Sequence, residues 1–160
     1  MNIPHDVRDI LSELEKAGYS AYIVGGAVRD AVMGKVPHDY DICTSATPEE
    51  MKTVFQHRNV IETGLKHGTL TVVGKENHYE VTTYRIDGDY GDSRHPEQVI
   101  FVDNIEEDLA RRDFTVNAMA YNEKAGLIDP FGGVSDVENK IIRAVGDPDK
   151  RFTEDALRIM

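Results

Sequence analysis

The sequence predicts an α+β fold, a mixed β-sheet flanked by helices, and three observations carry that prediction. Residues 5–17, HDVRDILSELEKA, place Val7, Ile10, Leu11 and Leu14 at i, i+3, i+4 and i+7, the spacing of an amphipathic helix. Residues 22–43, YIVGGAVRDAVMGKVPHDYDIC, read as strand, glycine turn, short helix and second strand. Residues 60–63, 69–73 and 78–84 are strand-like runs, with Gly-Lys-Glu-Asn at 74–77 as a hairpin turn between the last two.

The elements follow in order. Gly18 stops the first helix. The apolar run Ala21 to Val24 breaks at Gly25-Gly26, and the segment Ala27 to Met33 ends at Gly34. Thr47 can cap a helix, Pro48 fits its first turn and Glu50 completes a capping box, with Met51, Val54 and Phe55 turned inward. Residues 85–98 have two glycines, a proline and little apolar content, so they read as one long loop. Ile100 to Val102 is a short strand, and Asp103 or Asn104 caps the helix IEEDLARR. Leu127 to Gly133 reads as strand end and turn, followed by a helix from Val134 to Lys140. Ile141 to Val145 is a final strand, and residues 146–149 are a turn. RFTEDALRIM starts a helix, with Phe152, Ala156 and Ile159 as its apolar stripe; without a stop signal it predicts that the chain continues.

Composition narrows the class. A chain of 160 residues is long enough for one domain with an adequate core. With 40% hydrophobic and 29% charged residues it reads as an ordinary globular chain. No apolar stretch reaches membrane-spanning length and MNIPHDVRD has no signal core, so a cytoplasmic protein with no membrane partner is expected. Cys43 is the only cysteine, which excludes internal disulfides and cysteine zinc sites; a small buried apolar side chain is its expected role. The net charge of −11 is the wrong sign for gripping nucleic acid through a broad basic face. Either RNA contacts lie on parts of the protein outside this chain, or RNA is not the substrate.

The chemistry concentrates in the second strand. Asp39 and Asp41, two residues apart, project to one face with Cα atoms roughly 6.5–7 Å apart. Two such carboxylates repel, and a divalent cation is the natural relief, oxygen ligands favouring Mg²⁺ or Mn²⁺. The side-chain-free Gly25-Gly26 turn can approach an anion and opens a helix whose N-terminus favours negative charge. In HYEVTTYR, alternation puts Glu80, Thr82 and Tyr84 on one face, so Glu80 offers a third carboxylate. Lys66 and His67, between glycines, have a solvated turn as their ordinary reading, and helix-end capping is the ordinary reading of Asp113 and Thr115. Asp155 and Arg158, at i and i+3, read as a surface ion pair or as a base reader. An acceptor beside a donor matches the amino group and ring nitrogen of cytosine and adenine and rejects uracil and guanine.

The run GGAVRDAVMGKVPHDYDI, with YEVTT at 79–83, RRDFTVNA at 111–118, LIDPFGG at 127–133 and EDALR at 154–158, resembles the class II template-independent nucleotidyltransferases. These are the tRNA CCA-adding enzymes and their bacterial poly(A) polymerase relatives. The resemblance implies a DNA polymerase β-like catalytic head over residues 1–146 and the start of a helical neck over 147–160. That is roughly the N-terminal two-fifths of such an enzyme. It implies Asp39, Asp41 and Glu80 as catalytic ligands of two metal ions, with Gly25, Gly26 and Arg29 facing the triphosphate. Lys66 and His67 become second-tier phosphate contacts. Arg111, Arg112, Asp113 and Asn117 become contacts to ribose and phosphate that favour ribonucleotides. Arg94 would enter from a flexible loop, and Asp155 with Arg158 would select the base, Glu154 positioning Arg158. The implied reaction adds CMP and AMP from CTP and ATP to the tRNA 3′ end, with no DNA partner. A poly(A) polymerase or A-only adding enzyme, a nucleotide-sugar glycosyltransferase and an inactive nucleotide-binding module are the alternatives.

Overall fold

The computed structural model describes residues 1–87 and 99–146. Seven strands form one sheet in the order β3-β4-β5-β2-β1-β8-β9. They are β1 (Ala21–Val24), β2 (Asp41–Thr44), β3 (Val60–Gly64), β4 (Thr69–Val73), β5 (His78–Thr83), β8 (Ala120–Asn122) and β9 (Gly126–Ile128). Only the central β2–β5 pair is parallel; every other neighbour in this sheet runs antiparallel. The mixed sheet and flanking helices are as the sequence predicts.

The pleat sorts side chains between two layers. Ile23 and Ile42 point to one side, where α1 (His5–Lys16) contributes Val7, Ile10, Leu11 and Leu14. Helix α3 (Pro48–Val54) adds Met51, and Phe55 follows it into the same core. The expected capping box starts α3: the Glu50 N–H donates to Thr47 Oγ1 at 3.3 Å, and the Thr47 N–H to Glu50 Oε1 at 2.9 Å. Val24 and Cys43 point to the other side, into a second cluster with Tyr84, Leu109 and Ala120. Leu109 belongs to α4 (Ile105–Ala110), which Asn104 caps through its side chain. Cys43 is buried, as expected.

Three expectations are corrected. The second strand begins at Asp41, so Asp39 lies in the link before it. Residues 85–87 are not loop. They form β6 (Arg85–Asp87), paired antiparallel with β7 (Val99–Phe101) as a separate ribbon. The ribbon rests on the turn before β4: Arg85 Nη1 donates to the His67 carbonyl at 2.8 Å, and a Cβ at Gly68 would lie 2.6 Å from the Phe101 ring. Residues 141–145 make no strand, only an isolated bridge between Phe114 and Ala144. Their pairing stops because Thr115–Asn117 curls into a 3₁₀ turn.

Helix α5 (Gly133–Glu138) holds that turn in place. Asp129 accepts the N–H groups of Gly133 at 2.5 Å and Val134 at 2.9 Å. A Cβ at Gly133 would lie 2.4 Å from the Thr115 carbonyl, so only glycine permits this approach. Thr115 Oγ1 in turn donates to the buried Asp136 of α5 at 2.6 Å.

Candidate functional site

The parallel pairing of β2 with β5 puts Asp41 directly opposite Glu80. Partners in register share a face, and both residues are exposed between buried neighbours, Tyr40 (just before β2) and Ile42 for Asp41, Tyr79 and Val81 for Glu80. Asp39 is exposed too, so the out-in-out alternation extends past the paired strand. Asp41 keeps an exposed face, yet its carboxyl is pushed above the usual carboxylate range. Partial desolvation by the packed elements around it acts first, then the charge of Glu80; Arg112 pulls the other way and Asp39 adds a further push.

The structure thus brings Asp41 and Glu80 together, with Asp39 in electrostatic range. Among the described residues no three Asp, Glu, His or Cys side chains converge as a compact ligand set. Like charges repel, and Asp39 lies outside the ladder that fixes the other two.

Helix α2 (Gly26–Val32) follows the glycine turn. Gly25 has φ 71° and ψ −135° and donates its N–H to the Met119 carbonyl at 3.3 Å. That donor is committed to the sheet, which corrects the expectation that both glycine amides are available to an anion. Arg29 Nη1 donates to Asn117 Oδ1 at 2.9 Å, while Nη2 pairs with Asp30 at 3.3 Å. Arg29 and Asn117, 88 residues apart, therefore form one unit. They line a cleft of about 650 Å³ with Phe114, Val116, Val137 and Ile141. Neither Asp41 nor Glu80 lines this cleft.

The basic pair after α4 approaches from the face that carries Cys43. Arg112 Nη2 donates to Asp108 Oδ1 at 3.1 Å, and its Nη1 lies 3.4 Å from where a Cβ at Gly25 would sit. Arg111 Nε is 3.7 Å from Asp108 Oδ2. Asp113 is exposed, and its carbonyl accepts the Val145 N–H. Lys66 and His67 occupy the 3₁₀ turn between β3 and β4, with Lys66 exposed. Arg94, Glu154, Asp155 and Arg158 lie outside the described residues.

Sequence reasoning missed Asp108, which is fully buried beneath the two arginines. A signal was present, because Arg111 and Arg112 stand at i+3 and i+4 from it on one helix face.

A mixed sheet with an acidic strand in register beside a second acidic strand, under a glycine turn, is the architecture of a nucleotidyltransferase head. Residues 21–143 match the poly A polymerase head domain, and the chain belongs to that family. It is 51% identical over 155 residues to a CCA-adding enzyme of Leuconostoc mesenteroides, covering 97% of this chain and 38% of the relative. It is 54% identical over 151 residues to a CCA-adding enzyme of Geobacillus stearothermophilus, covering 94% and 37%. The crystal structure of the Bacillus stearothermophilus CCA-adding enzyme in complex with CTP matches with a TM-score of 0.82 at 48% identity, over 99% of this chain and 38% of that one. A CCA-adding enzyme in complex with ATP matches with a TM-score of 0.71 at 27% identity, over 98% and 37%. The chain spans about two-fifths of the length of these relatives. No helix among the described residues is long and apolar enough to cross a membrane.

Proposed function

We propose that residues 1–146 are the catalytic head, and 147–160 the start of the neck, of a cytoplasmic RNA nucleotidyltransferase. It adds CMP and AMP from CTP and ATP to the 3′ end of tRNA and releases pyrophosphate. The observation that carries this reading is the in-register pair Asp41 and Glu80, with Asp39 two residues away and Arg112 acting on Asp41 from the glycine turn.

The donor set fits divalent cations. All three groups are carboxylates, which suit Mg²⁺ or Mn²⁺, and desolvation first, then the charges of Glu80 and Asp39, raise Asp41, a cost that a bound cation would relieve. Asp39, Asp41 and Glu80 would hold two such ions, Mg²⁺ by preference. Bound there, such ions would supply Lewis-acid chemistry, lowering the pKa of the attacking 3′-hydroxyl and offsetting charge on the triphosphate and departing pyrophosphate.

The remaining roles fall to this chain's own side chains. Arg112 and Arg29 present guanidinium groups to phosphate, a planar fork that suits its oxygens. Asn117, steadied by Arg29, offers its amide to ribose hydroxyl, and Asp113 an acceptor. Gly25 and Gly26 let the triphosphate approach the backbone, with Lys66, His67 and Arg111 as outer cations. Arg94 would contribute from its loop, and Asp155 and Arg158 would read the base. The acidic balance of −11 supports a reading in which the grip on tRNA lies on parts of the protein outside this chain.

Calorimetric titration of CTP and of ATP, each with Mg²⁺, into this chain tests the reading. Metal-dependent binding is expected and should be lost in Asp41→Asn; an unchanged isotherm in that variant would refute it. In the longer protein, addition to tRNA lacking its 3′ end should use both nucleotides. Use of ATP alone would indicate the poly(A) polymerase or A-adding alternative.

A further inference from the structure

Asp108 is buried completely in α4, yet no part of the proposed chemistry uses it. Its Oδ1 accepts from Arg112 Nη2 at 3.1 Å and lies 3.9 Å from the Cys43 thiol. Its Oδ2 accepts the backbone N–H of Arg85 at 3.0 Å and sits 3.7 Å from Arg111 Nε. One carboxylate thus joins the strand that carries Asp41, the start of the β6–β7 ribbon and both arginines. Arg112 is half-buried beside it. Its Nη2 faces Asp108 and, at 3.7 Å, Cys43 Sγ, its Nη1 abuts Gly25, and its Nε is buried without a hydrogen-bond partner.

We infer that Asp108 is a positioning residue: it holds the Arg112 guanidinium at the glycine turn and keeps it from pairing with Asp41. The inference rests on the proposed metal site. Among the described contacts Arg112 pairs with Asp108, not with Asp41. Arg112 nevertheless lies beside Asp41: its Nη2 is 3.7 Å from Cys43 Sγ, two residues along β2 on the same face, and its Nη1 abuts Gly25, which follows Asp41's register partner Val24. A guanidinium that loses its carboxylate in a buried setting does not stay unpaired. Without the Asp108 charge, Arg112 would turn to Asp41, the carboxylate on the same face of β2 as Cys43. It would then occupy the oxygens a cation needs. Asp108 therefore separates the two halves of the site, leaving the guanidinium for phosphate and the Asp41 oxygens for metal.

Mn²⁺ serves as the probe, titrated in the presence of CTP and read by calorimetry or by electron paramagnetic resonance. Metal-free thermal melts of every variant accompany it. Asp108→Asn should raise the Mn²⁺ midpoint about tenfold or more, the usual effect of removing an outer-shell partner. Arg112→Gln removes the competing cation, so Asp108→Asn added to it should change the midpoint by no more than about twofold. A merely structural Asp108 would move the melt and leave the midpoint and its suppression alone. An unchanged midpoint in Asp108→Asn, or a double variant as weak as Asp108→Asn, overturns the inference while the metal reading stands. If the unaltered chain binds no Mn²⁺ with CTP, the metal reading fails and the inference with it. Should Asp108→Asn lose its cooperative melt, the double variant decides. Recovery of the melt with the Mn²⁺ midpoint of Arg112→Gln supports the inference, and failure to recover overturns it.

Discussion

The two glycines at the head of α2 should respond oppositely to alanine. Gly25 sits at φ 71° and ψ −135°, close to backbone space that glycine alone populates readily. Holding an alanine there costs about 1–3 kcal/mol. The new Cβ adds little, since it would meet Arg112 Nη1 at 3.4 Å, an ordinary contact distance. Gly26 begins the helix, and its Cβ would meet only the far end of the Arg29 side chain, at 3.3 Å. Arg29 can swing aside, while alanine gains about 0.4–1 kcal/mol by restricting the unfolded chain. For a domain of this size 1 kcal/mol moves the melting temperature by roughly 2–4 °C. Gly25→Ala should therefore melt roughly 4–8 °C lower, for a central cost of about 2 kcal/mol. Gly26→Ala should stay within roughly 2 °C of the parent or rise. Circular dichroism melts in chelator measure both. Equal losses in the two variants, or a Gly25→Ala melt matching the parent, would refute the backbone assignment.

Three further outcomes are expected. Asp41's carboxyl is raised in the folded state, so its charge destabilises the metal-free protein fully above that raised value; the penalty is relieved as pH falls through it and is gone below about 4. Asp41→Asn should thus unfold at higher urea than the parent at pH 7, with the advantage shrinking as pH falls towards about 4. Glu13 behaves oppositely: the Arg58 hydrogen bond, aided by His57 and opposed by burial, holds it below the usual range. Its stabilisation is present above about 4 and is lost as pH falls through the depressed value, and Glu13→Gln should cost about 1.5–3 kcal/mol at pH 7 by urea unfolding. Asp129→Ala removes both acceptors at the start of α5 and should cost about 1 kcal/mol. Amide exchange at Gly133 and Val134 should quicken in that variant, and unchanged exchange would show that the cap is dispensable.

Local signals were legible, and long-range ones were not. The α1 stripe, the α3 capping box and the 74–77 hairpin turn each rest on residues a few positions apart, and all three are found. That Asp41 and Glu80 each occupy a strand was readable; that β2 and β5 lie side by side, parallel and in register, was not. Such a pairing joins residues as far apart as Asp41 and Glu80 and leaves no local mark. The β6–β7 ribbon escaped because three-residue strands leave little alternation to read, and its support comes from Gly68 and His67, far away in sequence. The segment 141–145 misled in the other direction. Its apolar residues suggest a strand, but they lie along a partner that curls away after one bridge. Gly25 and Gly26 looked equivalent, although only the fold distinguishes their φ values and their neighbours, Arg112 and Arg29.

Asp108 shows why charge counting misleads at such a site. With 29 acidic residues against 18 basic ones, arginines near Asp41 and Glu80 could simply neutralise them. That does not happen to Arg111, Arg112 or Arg29, because each is already tied to another carboxylate, Asp108 or Asp30. A carboxylate buried among its partners binds them in a medium where attraction is strong, whereas the exposed Asp41 and Glu80 compete through water that screens them. Burial therefore explains why Asp108 holds Arg111 and Arg112, while the exposed Asp41 and Glu80 remain open to other cations. The surplus of acidic groups makes the division possible: among the described residues, Arg29, Arg111 and Arg112 are each anchored without using the two in-register carboxylates.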